Sequence, residues 1–357
     1  MIHRAYSALI ALALAVTLAA CAPIPPAAPP PTAAADVETT ETTTAASGTL
    51  VIYSGRSEPL LKPVVDAFRA ANPGVDVLLK AGSNSELANA LLEERGNPQA
   101  DLFITTELVT IQSLATEGVF DAYRPAAANS LPAGFVGPDD AWVGLTRRAR
   151  VIMYNTDLVP AADAPKSIFD LTDPKWQGQI ASAGSTNGSM QAQIAAMRQL
   201  VGEEKTEAWL RGLLANEVTF FGGHTDVRKA VGAGEFKLGL VNHYYHHLQL
   251  AEGSKVGVVY PDQREGEIGL LSNATAAAVV KGGANRANAQ AFIDFLLSAE
   301  GQKLFAQENY EYPLLPGVAL REGVQPLGDF RLAEVDVPAA ARDTDATFDL
   351  IEKVGLP

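Results

Sequence analysis

The chemically richest tract of the chain is Asn242-His243-Tyr244-Tyr245-His246-His247. It follows directly on Leu240-Val241, the end of an apolar run with strand character, so it falls where a crevice residue of an α/β sheet belongs. In a continued strand Tyr244 and Tyr245 would face opposite ways. In the first turn of a helix they diverge by about 100°, and both can reach one ligand. Neighbouring phenols suit a hard trivalent cation: phenolate is a hard, anionic oxygen donor, and Fe(III) can displace its proton although free tyrosine ionises only near pH ~10. The alternative is packing, with both rings filling space between lobes and the histidines facing solvent.

The histidines allow a rival reading. His243 and His247 stand one helical turn apart, a zinc-binding spacing, with Glu252 or Glu265 available as a base. No His-Glu-x-x-His or Gly-x-Ser-x-Gly accompanies them, and the expectation is a protein that is not an enzyme. Oxygen donors without thiolates also disfavour soft Cu(I) and a structural zinc centre. No Gly-x-Gly-x-x-Gly or Gly-x-x-x-x-Gly-Lys-Ser/Thr tract supports nucleotide binding.

The elements that must position the tyrosines form two blocks. In the first, Thr49–Tyr53, Val75–Leu79 and Ala100–Ile104 read as strands, separated by a helix from Glu58 to Ala71 and a second one opened by the Ser83/Glu86 capping box. This βαβαβ order predicts a parallel sheet with helices on both faces. The second block, Arg150 to about Pro261, has helices near 190–200, 205–214 and 226–233, and strands at 217–221, 237–241 and 255–260. Residues 274–280 and the helices 287–297 and 299–309 return to the first lobe. The fold class expected is α/β, two lobes each built on a mainly parallel sheet flanked by helices, with a ligand cleft between them. The boundaries are 49–150 for lobe 1, 151–273 for lobe 2 and 274–320 for the return, with 321–357 a tail on lobe 2.

Before these blocks, Ala8 to Ala20 is apolar except for Thr17, a length suited to a secretory h-region and too short to span a bilayer. It closes on Leu18-Ala19-Ala20-Cys21, which resembles a bacterial lipobox and contains the only cysteine of the chain. Residues 1–20 therefore read as a signal peptide and Cys21 as a lipid attachment point. Residues 22–48, rich in Pro, Ala and Thr, read as a tether. The balance of 27 basic against 41 acidic side chains, −14 overall, argues against nucleic acid as a partner.

Asn242-His-Tyr-Tyr245 resembles the Asn-x-Tyr-Tyr signature of the ferric-ion-binding proteins of bacterial iron ABC transporters, the bacterial transferrins. Tyr53-Ser-Gly-Arg-Ser-Glu58, Ala100-Asp-Leu-Phe103, Arg148-Ala-Arg-Val151, Asp170-Leu-Thr-Asp-Pro-Lys-Trp176 and Glu311-Tyr-Pro-Leu314 agree with that family in the same order, over roughly residues 49–320. The resemblance implies a periplasmic-binding-protein fold, a monomer in the periplasm or on the outer face of the cytoplasmic membrane, an ABC permease as partner, and ferric iron as cargo with a synergistic anion such as carbonate or phosphate. It assigns Tyr244 and Tyr245 to the metal. Some members place a histidine where this chain has Ser57, a helix N-cap in the plainer reading, and a carboxylate near Glu107, which could instead serve the dipole of the next helix. The matching anion loop is Ser185-Thr186-Asn187-Gly188-Ser189 at a helix start, with Asn242 as a further contact. Arg148 and Arg150, near the lobe crossing, could offset the anion's charge or simply form a solvated strand edge, and His224 stands where relatives often have asparagine. The same fold with another cargo, an oxyanion or a polyamine, is the alternative.

Overall fold

The computed structural model describes residues 47–357; the signal-like stretch, Cys21 and nearly all of the tether lie outside the described residues. The first elements are β1 (Gly48–Ser54), α1 (Glu58–Ala71), β2 (Val75–Ala81), α2 (Asn84–Glu93), β3 (Leu102–Thr105), α3 (Leu108–Thr116) and β4 (Phe120–Asp121), followed by a long strand, β5 (Val143–Asn155). Next come β6 (Ile180–Ala183), α4 (Gly188–Val201), α5 (Glu203–Ala215), β7 (Thr219–Phe221), α6 (His224–Gly232), β8 (Leu238–Asn242), α7 (His243–Ala251) and β9 (Val256–Val259). The described chain closes with β10 (Ser272–Val280), α8 (Arg286–Leu296), α9 (Ala299–Asn309), β11 (Tyr312–Pro313), α10 (Val337–Arg342) and α11 (Thr344–Val354).

Short-range chemistry accounts for several of these boundaries. Helix α1 buries Leu61, Val64, Val65 and Phe68 on one face. Helix α2 begins at a complete capping box, in which the Ser83 side chain accepts from the Glu86 N–H and the Glu86 carboxylate accepts from the Ser83 N–H.

Strands β2, β1 and β3 pair in parallel, and so do β7, β6 and β8. The connecting strands run the other way: β10 is antiparallel to β3 and β5, and β5 is antiparallel to β8. These two parallel groups are the sheets of the two lobes. Strand β5 belongs to both, since it pairs with β10 as far as Ala149 and with β8 from Arg150 onward. Each lobe has its own apolar core. In the first, Leu50 and Ile52 of β1 pack with Phe68, Phe292 and Phe305. In the second, Ile152 packs with Ile194, Trp209 and Leu210, and the last helix adds Leu350, Ile351 and Val354.

Candidate functional site

Strand β8 hands over to α7 at Asn242, and no side chain caps the new helix. Tyr244 and Tyr245 therefore sit in its first turn, the arrangement in which adjacent residues can share a ligand. Both are buried, with ring centroids 4.2 Å apart and planes inclined by 33°. They line a cavity of about 160 Å³ between the lobes. Arg56, Ser57 and Thr106 reach it from the first lobe and Arg148 from β5. Asn187, Ser189, His224 and Asn242 reach it from the second.

Four helix N-termini open onto this space, those of α1 at Ser57, α4 at Asn187, α6 at Gly223 and α7 at Asn242. Only Asn187 among these caps uses its side chain on its own helix, accepting from the Ser189 N–H at 3.0 Å. The other three leave first-turn N–H groups and the positive end of the helix dipole directed at whatever occupies the cavity.

The buried cations reinforce that field. Arg56 is paired with Glu311, which also accepts from Thr146 Oγ1 at 2.6 Å. Arg148 and Arg150 have no carboxylate partner within ion-pair distance among the described residues, although both are buried. Arg148 donates to Thr275 Oγ1 at 3.1 Å and to the Ala274 carbonyl at 3.2 Å. Arg150 donates through Nε to Gln193 Oε1 at 2.9 Å and lies 2.8 Å from His224 Nε2 through Nη1, while its Nη2 has no partner. Burial pushes the Arg150 guanidinium down to about 9. Burial, then the charges of Arg150 and Arg148, hold the His224 imidazole well below its ordinary range, so it is neutral and accepts from Arg150. Burial raises the Tyr245 phenol well above its usual value, and the adjacent Tyr244 adds to the shift while Arg56 and Arg148 oppose it.

Among the sequence-predicted residues, Tyr244, Tyr245, Ser57, Asn187, Ser189, Asn242 and His224 meet at this cavity. Gly188 is buried against Asn84 of the first lobe. Ser185 is directed elsewhere, its N–H donating to the Pro357 carbonyl at 2.6 Å, and Thr186 is exposed. Arg150 stands behind the cavity wall, touching it through His224. Glu107 is the N-cap of α3, accepting from the N–H groups of Val109 at 2.6 Å and Thr110 at 3.0 Å; Thr106, one residue earlier, forms the cavity rim. Ser57 holds the N-cap position of α1 without making the cap bond.

The zinc reading of His243 and His247 meets an obstacle at His243. Both ring nitrogens are used, Nδ1 by the Ala149 N–H at 3.2 Å and Nε2 by the Tyr310 carbonyl at 2.9 Å. Among the described residues no cluster of three or more His, Cys, Asp or Glu could hold a metal ion. Arg56 was missed as a site residue: a charged residue after a strand reads as surface, and only its pairing with Glu311, 255 positions away, reveals its burial.

Two α/β lobes joined by crossing strands, with a small polar cavity lined from both, define a solute-binding protein. Residues 97–326 match the bacterial extracellular solute-binding protein family, and the chain belongs to it. It is 35% identical over 271 residues to "Iron uptake protein A1" of Synechocystis sp., covering 73% of this chain and 74% of that one. It is 30% identical over 319 residues to the "Fe(3+)-binding periplasmic protein" of Serratia marcescens, covering 87% and 92%. The structure of iron-bound HitA from Pseudomonas aeruginosa superposes with a TM-score of 0.79 at 29% identity, over 86% of this chain and 99% of that one.

Proposed function

We propose that this protein captures ferric iron together with a synergistic anion and delivers it to an ABC permease. The observation that carries the reading is the pair of buried tyrosines in the first turn of α7, facing a cavity surrounded by helix N-termini and arginines. Arg56 and Arg148 oppose the rise that burial imposes on the Tyr245 phenol, and the helix N-termini favour an oxyanion beside the metal. The names of the relatives in Synechocystis and Serratia agree with that cargo.

Two phenolates leave a ferric ion with residual positive charge and open coordination positions. An anion such as carbonate or phosphate completes both, held by Ser189, Asn187, Asn242 and first-turn N–H groups, with Arg148 offsetting its charge. Ser57 is free to contribute its hydroxyl from the opposite lobe, while Glu107 serves α3. Ligands from two lobes meet only when the cleft is narrow, so metal binding selects the closed arrangement that a permease can recognise. The lobe boundaries at 150/151 and 273/274 follow from the same reading, as does anchoring of a monomer outside the cytoplasm through lipid on Cys21.

The test is to add ferric iron with carbonate or phosphate to the metal-free protein and record the visible spectrum. Phenolate-to-iron charge transfer should colour the wild type, and Tyr244→Phe combined with Tyr245→Phe should remove that colour. A second reading, an oxyanion alone as cargo, draws support from buried Arg148 and Arg150, which have no carboxylate partner among the described residues. A colourless protein that binds phosphate tightly would replace iron with that reading. Polyamine binding is disfavoured because the cavity is lined by arginines and by no carboxylate.

A further inference from the structure

His243 stands first in α7, immediately before the paired tyrosines, with no exposed surface. Its two nitrogen contacts are both to backbone, with the Ala149 N–H and the Tyr310 carbonyl. A peptide N–H only donates and a peptide carbonyl only accepts. One proton arrangement satisfies both, a bare Nδ1 and an Nε2–H. The ring face is fixed as well, stacked on Tyr312 with centroids 4.2 Å apart and planes 11° from parallel.

These partners come from the segments that join the lobes. Ala149 is the last β5 residue paired with β10, and the next residue, Arg150, pairs with Asn242 of β8. The Ala149 N–H is thus given to a side chain at the point where β5 changes sheets. Tyr310 ends α9 with a left-handed φ of 60°, and Tyr312, two residues on, pairs with Arg147 of β5. One imidazole therefore ties the crossing strand, the turn after α9 and the start of the tyrosine-bearing helix. A change of angle at residue 149 must carry α7 with it or break one of the two hydrogen bonds.

We propose that His243 is a positioning residue that couples the interlobe crossing at Ala149 to the placement of Tyr244 and Tyr245, fixing both phenols whenever the crossing takes the arrangement seen here. Its iron-dependent consequences rest on the ferric reading above; its effect on the crossing strand does not. His243 itself touches neither metal nor anion in this scheme.

The experiment compares His243→Ala, His243→Gln and His243→Asn with wild type in the full chain. Three quantities are read: hydrogen exchange of the Ala149 amide without iron, the visible band with iron and carbonate, and the rate of iron release to a competing chelator. His243→Ala should exchange the Ala149 amide about tenfold faster and release iron about tenfold faster, the loss expected for one buried hydrogen bond, while keeping the band maximum because both phenolates remain. His243→Gln carries an acceptor and a donor on one amide and should recover part of both effects. His243→Asn keeps an acceptor near Ala149 but cannot reach Tyr310, so it should restore amide protection more than slow release. Should His243→Ala fail to fold, the Gln and Asn variants carry the comparison. Wild-type protection and wild-type release in folded variants would overturn the proposal. A colourless wild type whose Ala149 amide still loses protection in His243→Ala would overturn the iron reading and leave the coupling standing.

Discussion

Tyr245 starts from a phenol that burial has pushed above its ordinary range, so proton and metal compete for its oxygen. The direction of that shift sets the sign of the pH response: through the neutral range the metal-free phenol is protonated, and each bound ferric ion must expel protons. With two phenols losing one proton each, apparent iron affinity should fall by up to roughly a hundredfold for each unit of acidification, and proton release measured during loading should approach two per iron. An affinity independent of pH between about 6 and about 8 would mean that the tyrosines do not ligate as phenolates. Glu107 permits a second residue-level test, because its two oxygens accept N–H groups at the start of α3, Oε2 from Val109 and Oε1 from Thr110. Glu107→Gln should keep the iron colour but lose about 1 kcal/mol of stability in chemical denaturation, since an amide has one acceptor oxygen where the carboxylate has two. Loss of colour in that variant would return Glu107 to the metal.

At the level of elements, the site depends on how closely α4 approaches the first lobe. A Cβ on Gly188 would fall 2.3 Å from Asn84 Nδ2 and 3.2 Å from Thr106 Oγ1, and the Asn84 amide is itself held by Thr106 Oγ1 at 3.0 Å. Ser85 Oγ accepts from Gln191 Nε2 at 3.3 Å across the same junction. Gly188→Ala should therefore hold the lobes apart and weaken iron binding by about 1–3 kcal/mol in chelator competition, with little change in the colour of the loaded protein. An unchanged affinity would show slack at this contact. The elements most legible in the sequence were those governed by near neighbours: α1 by its apolar stripe, α2 by its capping box, and the tyrosine turn by adjacency within one helix. Strand β5 was not legible as a whole. It carries Arg148 and Arg150, which read as a solvated edge, yet both are buried because the strand passes between the lobes and turns them toward the cavity and its wall. Its antiparallel pairing with β10 and β8 joins residues more than 80 positions apart, information that no local pattern holds.

For the whole molecule, the proposed lipid anchor and a part of the second lobe's core lie at opposite ends of the sequence. Cys21→Ser should move the mature protein from the membrane fraction to the soluble fraction without altering its iron colour, because a lipid anchor adds affinity for the bilayer and nothing to the cleft. The tail makes the contrary contribution. Helix α11 buries Leu350, Ile351 and Val354 against Ile194, Met197 and Leu210, and Arg198 of α4 pairs with Asp343 at 2.7 Å. Helix α10 packs on α3 of the first lobe as well as on α4 of the second, so the tail touches both sides of the molecule. Leu350 has 2% of its surface exposed, and truncating it removes apolar contacts that neighbouring helices cannot refill without moving. Leu350→Ala should lower unfolding free energy by about 2–5 kcal/mol. The tyrosines are borne on α7, which α11 does not support, so thermal stability should fall while the charge-transfer maximum and the iron stoichiometry stay at wild-type values. A folded Leu350→Ala protein with wild-type stability would show that the tail is dispensable to the second core.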